Sequence, residues 1–263
     1  MSTETNAPVL LRDDADGICR LTLNRPAQRN ALSLALMEAI IAELDRIAKD
    51  RAVRVVILSG AGPAFCAGHD LKELRANPTR GFYDQVFNLC SEVMLGLTRL
   101  PQPVIAQVHG IATAAGCQLV ATCDLAIAAA NARFATPGVN IGLFCSTPMV
   151  ALTRVVPRKQ AMEMLLTGEM IDAATAVSVG LINRAVPVDL LTAEVNAFAD
   201  KIAGKSPLIL KIGKEAFYRQ AELDLGAAYT YASKVMAENM MALDAAEGID
   251  SFLGKRQPNW KGC

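Results

Sequence analysis

Alternation of apolar and polar positions gives the first structural signal in this chain. Residues 17–24 (GICRLTLN) alternate in this way and predict a strand. Apolar residues then recur at helical spacing after Ser33, so we expect a helix that Ser33 caps and that runs through Ile47. The short apolar runs at 53–58 and 104–108 predict buried strands. Strand, loop and helix recur in this order, which predicts an α/β fold.

The pattern changes in the last third of the chain. A further strand is expected at 124–129, before the change. Asp172 can then cap a helix that Gly180 ends, and a short extended piece follows. After residue 189 nearly everything has helical spacing, to about residue 255. We therefore divide the chain into a core, residues 1–190, and a helical C-terminal region, residues 191–263.

Composition narrows the classes of partner. The chain has 263 residues, 52% of them hydrophobic, which is enough for one large core. Its formal net charge is +0, so neither nucleic acid nor an acidic membrane surface is expected as a partner. No apolar run reaches the roughly 18 residues of a membrane-spanning helix.

Cysteine and histidine usage bears on metals and compartment. The 7 cysteines are an odd number and are scattered, which is typical of reduced thiols. With 2 histidines and no CxxC pair, we expect no metal site. The first ten residues, MSTETNAPVL, show neither a secretory nor a transit signal, so we expect a cytoplasmic protein.

Two turns of small residues follow predicted strands. One is Cys66-Ala67-Gly68-His69 and the other is Ala114-Ala115-Gly116. The first is not a dinucleotide-binding loop, because Phe65 stands where a third glycine is needed. Free backbone N–H groups in such turns can converge on one oxygen, as in an oxyanion hole. Close packing of a helix on a strand explains the small residues equally well at this stage.

Five ordered segments carry a resemblance to a known family. They are 24–32 (NRPAQRNAL), 55–74, 103–129 (PVIAQVHGIATAAGCQLVATCDLAIAA), 161–187 and 247–260. Together they resemble the crotonase, or enoyl-CoA hydratase/isomerase, superfamily. The resemblance implies an α/β fold, a crotonase-like spiral of ββα units with a helical C-terminal trimerisation region. It also implies a homo-trimer or dimer of trimers and an acyl-CoA thioester as ligand, with coenzyme A carried by the substrate and no bound cofactor.

The resemblance also implies a set of site residues. The backbone N–H groups of His69 and Ala115 match the donors that hold a thioester oxygen. Ala27 and Arg29 match the loop at the CoA nucleotide, and Phe252 and Lys255 match positions that often reach the CoA of a neighbouring subunit. The other positions matched to CoA and its acyl group are Ala67, Gly68, Asp70, Leu71, Lys72, Ala114, Gly116, Pro137 and Leu143.

Two positions depart from the hydratase pattern. Hydratases of this family use two glutamates, and the resemblance places Gln118 and Gly138 at those positions. An amide cannot take a proton from water at neutral pH, and glycine has no side chain. We therefore doubt two-glutamate hydration and expect an enzyme that stabilises a thioester enolate. The alternative is a non-catalytic acyl-CoA-binding or regulatory protein.

Several side chains are left with open roles. Cys145 is either a nucleophile or a small core residue, and the ring of His69 points either into the pocket or away from it. With no well-placed serine, His69 and Asp70 are expected to form a structural turn and not a catalytic triad. We interpret His109 as structural. Two interpretations remain open for the carboxylates of Glu73, Asp84 and Glu92. One of them replaces a missing catalytic glutamate from a different position in the chain, or all three are solvated charges on helices.

Overall fold

The computed structural model describes residues 7–263. Most of the N-terminal stretch that bears on targeting therefore lies outside the described residues. The strands are β1 (Leu10–Ala15), β2 (Ile18–Leu23), β3 (Val55–Gly60), β4 (Val104–Val108), β5 (Ile111–Thr113), β6 (Leu125–Ala129), β7 (Arg133–Ala135), β8 (Ile171–Asp172) and β9 (Arg184–Val186).

The helices are α1 (Leu34–Ile47), α2 (Leu71–Ala76), α3 (Arg80–Arg99), α4 (Ala115–Thr122), α5 (Ser146–Val155), α6 (Arg158–Thr167), α7 (Ala173–Ser178), α8 (Leu191–Ala203), α9 (Pro207–Gln220), α10 (Leu225–Met240) and α11 (Leu243–Leu253). Short 3-10 helices span Pro26–Gln28, Pro137–Ile141 and Val188–Leu190. None of the helices in residues 7–263 combines the length and the apolar character needed to cross a membrane.

The strands form two sheets, and β4 to β7 alternate between them. The larger sheet has the order β1-β2-β3-β4-β6-β9, and the smaller has the order β5-β7-β8. β1 and β2 form an antiparallel hairpin, and the following neighbours in the larger sheet are parallel. A strand of the larger sheet, a strand of the smaller sheet and a helix follow one another twice along the chain. This confirms the predicted α/β spiral of ββα units.

Apolar residues on both faces explain why the central strands are buried. Val56 and Leu58 of β3 join the main core beneath α1, α3 and α4. Val55 and Ile57, which alternate with them, face Val195 of α8 on the opposite side of the sheet. The predicted strands at 17–24, 53–58, 104–108 and 124–129 therefore form within a few residues of their expected bounds.

The predicted capping residues act as expected. Ser33 Oγ accepts a hydrogen bond from Leu36 N at 3.3 Å, at the start of α1. Asp172 Oδ1 accepts one from Thr175 N at 2.8 Å, at the start of α7. Gly180, shortly after α7, has a φ of +79°, the left-handed conformation that stops a helix.

The predicted helical C-terminal region is present as α8 to α11. Its first helix, α8, packs on the larger sheet, and α9, α10 and α11 pack on one another. The division of the chain at residue 190 stays a prediction.

A buried ionic cluster fastens α9 to the core. Lys214 Nζ lies 2.6 Å from Asp124 Oδ2, and Tyr218 Oη donates a hydrogen bond to Asp124 Oδ1 at 2.8 Å. Lys214 Nζ also donates to the carbonyls of Leu97 and Gln102, at 2.9 and 3.0 Å. Burial lowers the pKa of Lys214 more than Asp124 raises it. Because every charged atom in the cluster is paired, we assign it a structural role.

Candidate active site

Three segments that are distant in sequence meet at one edge of the smaller sheet. Thr113 N donates to Cys66 O at 3.0 Å, and Thr113 Oγ1 donates to Ala67 O at 3.1 Å. Ala114 N donates to Ala135 O at 2.9 Å, which brings the end of β7 to the same place. The two small-residue turns are therefore in direct contact, with Thr136 and Pro137 beginning beside them.

Glycine makes this contact possible at two positions. A Cβ on Gly116 would lie 2.1 Å from Cys66 O, far inside van der Waals contact. A Cβ on Gly68 would lie 2.9 Å from the Cβ of Ala114, and Gly68 has a φ of +95°. The close-packing interpretation of these residues is thus correct. It does not exclude a role for the backbone, since close packing also sets the relative position of the two turns.

The backbone N–H groups of His69 and Ala115 are both free. Leu32 N donates to Gly68 O at 2.8 Å, and Asp70 N donates to Leu32 O at 3.1 Å. These backbone hydrogen bonds therefore use the residues before and after His69 and not His69 N itself. Within residues 7–263, neither His69 N nor Ala115 N donates a hydrogen bond to the protein. Ala115 is the first residue of α4, where the helix dipole favours negative charge.

The turn into α4 is strained. Ala114 has φ 50° and ψ −119°, a combination that residues with a side chain rarely adopt. The hydrogen bond to Ala135 O and the contact with Gly68 hold it there. This conformation turns the chain sharply from β5 into α4, where Ala115 N begins the helix without an acceptor among the described residues.

Both ring nitrogens of His69 are buried, although the residue as a whole is only partly buried. Neither Nδ1 nor Nε2 has a hydrogen-bond partner in the described part of the chain, and the ring meets Phe87 edge-on with centroids 5.3 Å apart. Burial lowers the pKa of His69 to about 4, although the carbonyl of Leu32 raises it slightly. At neutral pH the ring is therefore uncharged, with one donor and one acceptor nitrogen.

Gln118 lies on α4 within the buried interior of the site. Gln118 is only 5% exposed. Gln118 Oε1 accepts a long hydrogen bond from Cys90 Sγ of α3 at 3.9 Å. Gln118 Nε2 donates to no group within residues 7–263, so one amide donor remains for a ligand.

The neighbourhood of Gly138 has no room for a side chain. A Cβ on this glycine would lie 2.9 Å from both Cys145 Sγ and Leu143 O. Gly138 N donates to Cys145 Sγ at 3.3 Å. Burial raises the pKa of the Cys145 thiol more than this N–H lowers it. Cys145 is therefore a buried thiol that fills space, and the structure favours the core interpretation over the nucleophile.

The loop that the resemblance assigns to CoA lies against the first turn. Ala27 belongs to the exposed 3-10 helix that Arg29 ends, and Ala67 N donates to Arg29 O at 3.0 Å. Leu71 and Lys72 follow at the exposed start of α2. These positions thus lie on either side of the Cys66–His69 turn.

Asp70 has a structural role in this turn. It caps α2, accepting from Lys72 N and Glu73 N at 3.1 and 3.2 Å, and pairs with Arg25 at 2.8 Å. Burial raises the pKa of Asp70, but Arg25 and the two N–H groups lower it by more. The carboxylate is thus fully engaged, as expected for a turn and not for a triad.

Two of the sequence-predicted positions stand apart from the rest. Phe252 is 82% exposed near the end of α11, and Lys255 follows that helix with a φ of 49°. α11 packs on α9 and α10, away from the helices and strands that carry the two small-residue turns. Pro137 and Leu143, in contrast, flank Gly138 beside the site.

The remaining candidates have structural explanations. His109 Nε2 lies 2.8 Å from Gly62 O, which supports its structural interpretation. Glu73 Oε2 accepts from Leu34 N at 3.1 Å, and Asp84 pairs with Arg80 at 2.8 Å. Glu92 lines a groove between α1 and α3. Phe87 and Cys90 of α3 were not predicted as site residues. Cys90 belongs to the buried stripe at helical spacing along α3, which was its signal in the sequence, whereas Phe87 is 37% exposed and had no such signal.

Known relatives share most of this chain. It is 49% identical to the enoyl-CoA hydratase domain-containing protein 3, mitochondrial, of Rattus norvegicus, over 93% of this chain and 82% of that relative. It is 35% identical to the 2,3-dehydroadipyl-CoA hydratase of Escherichia coli strain K12, over 92% and 94% of the two chains. The human counterpart of the rat protein is also named mitochondrial. These names point to mitochondria, so the expectation of a cytoplasmic protein is wrong.

Solved structures and a family model agree with these relatives. The crystal structure of an enoyl-CoA hydratase from Mycobacterium smegmatis superposes with a TM-score of 0.94 at 54% identity, covering 96% of this chain and 99% of that one. Residues 13–263 match the family model described as enoyl-CoA hydratase/isomerase. The chain therefore belongs to the enoyl-CoA hydratase/isomerase family.

Proposed function

We propose that this chain is an enzyme that binds an acyl-CoA thioester and stabilises negative charge on the thioester oxygen as an enolate forms. The observation that carries the proposal is the pair of free N–H groups, His69 and Ala115, on two turns in direct contact. Preorganised donors of this kind are a large term in catalysis, and removing one typically lowers kcat by about 100- to 1,000-fold.

Coenzyme A enters this site as part of the substrate and not as a resident cofactor. The exposed positions Ala27, Arg29, Leu71 and Lys72 support this route, because the loop of Ala27 and Arg29 contacts Ala67 and α2 begins directly after the His69 turn. Phe252 and Lys255 would then reach the CoA of a neighbouring subunit, since α11 packs on α9 and α10 in its own chain.

Hydration by two carboxylates is not the reaction that this site supports. At the positions that the resemblance assigns to them stand an amide, Gln118, and Gly138, where Cys145 and Leu143 fill the space a side chain needs. Gln118 Nε2 can bind an oxygen of the substrate but cannot activate water. The supported chemistry is one in which the thioester enolate itself is the key intermediate.

A non-catalytic acyl-CoA-binding protein is the second candidate. It is favoured by the same two positions, because no carboxylate among the described residues of the site is free to act as a base. This candidate predicts binding of acyl-CoA without turnover.

Self-assembly as a trimer, or a dimer of trimers, is part of the proposal. Its support is a set of large apolar side chains exposed on the C-terminal helices, which a monomer would leave in water. They are Phe217, Leu225, Tyr229, Met236, Met241, Leu243, Phe252 and Leu253. Light scattering coupled to size-exclusion chromatography gives the mass, and a monomer at micromolar concentration would contradict this part.

A comparison of two ligands tests the oxyanion hole. Butyryl-CoA and its thioether analogue S-butyl-CoA differ in the thioester carbonyl. Because two N–H groups would donate hydrogen bonds to that oxygen, butyryl-CoA should bind roughly tenfold or more tightly than S-butyl-CoA, as measured by calorimetry. Equal affinities would refute the proposed donors.

A proline variant then locates one donor. Ala115→Pro removes the N–H at the first position of α4 and should reduce the carbonyl preference. Ala173→Pro makes the same change at the first position of α7 and should leave the preference intact. Thermal unfolding of both variants shows whether each still folds, and the wild-type comparison stands without them.

Two turnover assays separate the two candidates. The first assay measures hydration of crotonyl-CoA as a decrease in the absorbance of the enoyl thioester. The second measures exchange of the α-protons of butyryl-CoA in D2O by mass spectrometry. Exchange with little hydration supports the enolate-forming enzyme. Carbonyl-dependent binding with neither reaction supports the non-catalytic candidate, and ordinary hydration would show that Gln118 and Gly138 were misjudged.

A further inference from the structure

The tail, residues 256–263, returns along α11 and is bonded to it. Arg256 pairs with both carboxylate oxygens of Glu247, at 2.6 and 2.8 Å. Asn259 N also donates a hydrogen bond to Glu247 Oε1, at 2.7 Å. Arg256 and, to a smaller extent, Asn259 N lower the pKa of Glu247 to about 2. Glu247 therefore holds the first half of the tail as a carboxylate.

A buried carboxylate holds the second half of the tail. Asp244 is 1% exposed, and it accepts hydrogen bonds from Lys261 N and Gly262 N at 2.6 and 2.9 Å. Ser206 Oγ, at the start of α9, lies 2.5 Å from Asp244 Oδ2. The tail thus joins α11 to the start of α9.

The end of α11 has an unfavourable backbone conformation. Arg256 N donates to Ser251 O at 3.0 Å. Lys255 N donates to Phe252 O at 3.2 Å, which completes a Schellman motif. The left-handed position of this motif usually holds glycine, but Lys255 occupies it with a φ of 49°, and Gly254 before it has a φ of −79°. A strained position that keeps a long cationic side chain indicates a function for that side chain.

One side of the end of α11 is packed and another is open. Ser251 is 3% exposed, whereas Phe252 is 82% exposed and borders an apolar groove of about 550 Å³ between α9, α10 and α11. Lys255 is exposed as well. Because Arg256 directly follows Lys255, its ion pair with Glu247 restrains the turn that presents the two exposed side chains.

We propose that Glu247 and Asp244 are positioning residues, which act through the tail to hold Phe252 and Lys255 for contact with the nucleotide of a neighbouring subunit's CoA. This inference rests on the proposed function, which assigns Phe252 and Lys255 to that CoA. The two side chains suit an adenine nucleotide, because an aromatic ring stacks on a base and a lysine pairs with a phosphate. A turn that is already ordered loses less conformational freedom on binding, so the restraint raises the affinity.

Two ligands that differ in the nucleotide isolate this effect. Butyryl-CoA carries the nucleotide, and S-butyryl-pantetheine has the same thioester without it. Calorimetry measures both affinities for the full chain, and the readout is their ratio. A variant that only damages the fold weakens both ligands and leaves this ratio unchanged.

Glu247→Ala is the main variant, because it removes the acceptor of Arg256 and Asn259 N in a helix that favours alanine. The affinity for butyryl-CoA should fall about tenfold, since two side chains must then be ordered on binding. The affinity for S-butyryl-pantetheine should stay within about twofold of wild type. Glu247→Gln keeps an oxygen for both donors, so it should keep most of the ratio.

Asp250→Ala is the matched control. Asp250 is an exposed carboxylate one turn further along the same helix, so its loss removes the same charge and leaves Glu247 with its partners. The ratio should be that of wild type. Asp244→Asn tests the second half of the tail, because its amide turns an NH2 group towards an N–H donor, and the ratio should fall. Thermal unfolding shows which variants fold, and Glu247→Ala decides alone if Asp244→Asn does not.

Lys255→Gly separates position from stability. Glycine relieves the left-handed conformation, so the melting temperature should be unchanged or slightly raised. The ratio should nevertheless fall, because the cation is gone. An unchanged ratio in this variant would overturn the inference.

The outcomes separate this inference from the proposed function. If both thioesters bind to wild type but Glu247→Ala keeps the ratio, or if Asp250→Ala lowers it equally, the inference is overturned and the proposed function stands. If neither thioester binds to wild type, both are overturned. A ratio that falls in Glu247→Ala and survives in Asp250→Ala supports the inference.

Discussion

Gly116 offers the sharpest test of how the two turns are held together. A Cβ at this position would lie 2.1 Å from Cys66 O, 2.7 Å from Cys66 C and 2.9 Å from Cys66 Cβ. Two of these atoms are backbone, so no flexible side chain can move aside. Gly116→Ala must therefore push α4 away from the Cys66–His69 turn, or bend one of them.

The expected cost is large for the addition of one methyl group. Overpacking of a core typically costs about 1–3 kcal/mol, and this contact lies at the severe end. For a chain of this size 1 kcal/mol shifts the melting temperature by roughly 2–4 °C. A loss of about 3 kcal/mol therefore predicts a decrease of roughly 6–12 °C. The carbonyl preference between butyryl-CoA and S-butyl-CoA should fall as well, because Ala115 N moves with α4.

Gly213→Ala is the control for this experiment. Gly213 lies in α9, and nothing lies within 4 Å of a Cβ placed on it. Alanine favours a helix interior over glycine by about 0.5–1 kcal/mol, so this variant should be unchanged or slightly stabilised. Differential scanning fluorimetry at one protein concentration compares the three proteins. Equal melting temperatures for Gly116→Ala and wild type would refute the reasoning about close packing.

Three further predictions concern charge and pH. Lys214→Met should lower stability by about 3 kcal/mol, because it leaves the buried carboxylate of Asp124 without its cation; an unchanged thermal midpoint would contradict this. The pKa of His69 is lowered to about 4 in the folded chain, so between pH 6.5 and pH 4 the unfolded chain binds a proton at this residue and the folded chain does not. The free energy of unfolding should therefore fall by about 3 kcal/mol as the pH falls from 6.5 to 4. Denaturant titrations at pH 7 and pH 4.5 should therefore show a smaller acid loss for His69→Phe than for wild type, and an equal loss would contradict it. Asp244→Ala removes the acceptor of Lys261 N and Gly262 N, at 2.6 and 2.9 Å, so the fluorescence of the single tryptophan, Trp260, should shift to longer wavelength; an unchanged spectrum would show that the tail is held by other contacts.

Local patterns predicted much of the architecture. The strand at 18–23 follows from alternation, and the helix after Ser33 follows from its cap and its apolar spacing, because both depend on neighbouring residues alone. The two small-residue turns were also recognisable. Their contact was expected only through the family resemblance, since residues 66 and 113 meet by way of strand order and not by local sequence.

The site details that sequence could not supply are contacts across the fold. Nothing near Gly138 in the chain indicates that Cys145 Sγ occupies the space beside it. The direction of the His69 ring depends on Phe87, which belongs to a different helix. The packing of α8 on the sheet likewise depends on Val55 and Ile57, more than 130 residues earlier by their numbering.

The short helix α4 is fixed at both ends by different parts of the molecule. Gly116 at its start rests on Cys66 O, and Asp124 just beyond its end holds Lys214 and Tyr218 of α9. One residue inserted between these points would advance Asp124 by about 1.5 Å and rotate it by roughly 100° about the helix axis. The carboxylate would then leave both partners. The spacing between Gly116 and Asp124 is therefore fixed in this protein. The segment between them can change by substitution but not by insertion or deletion.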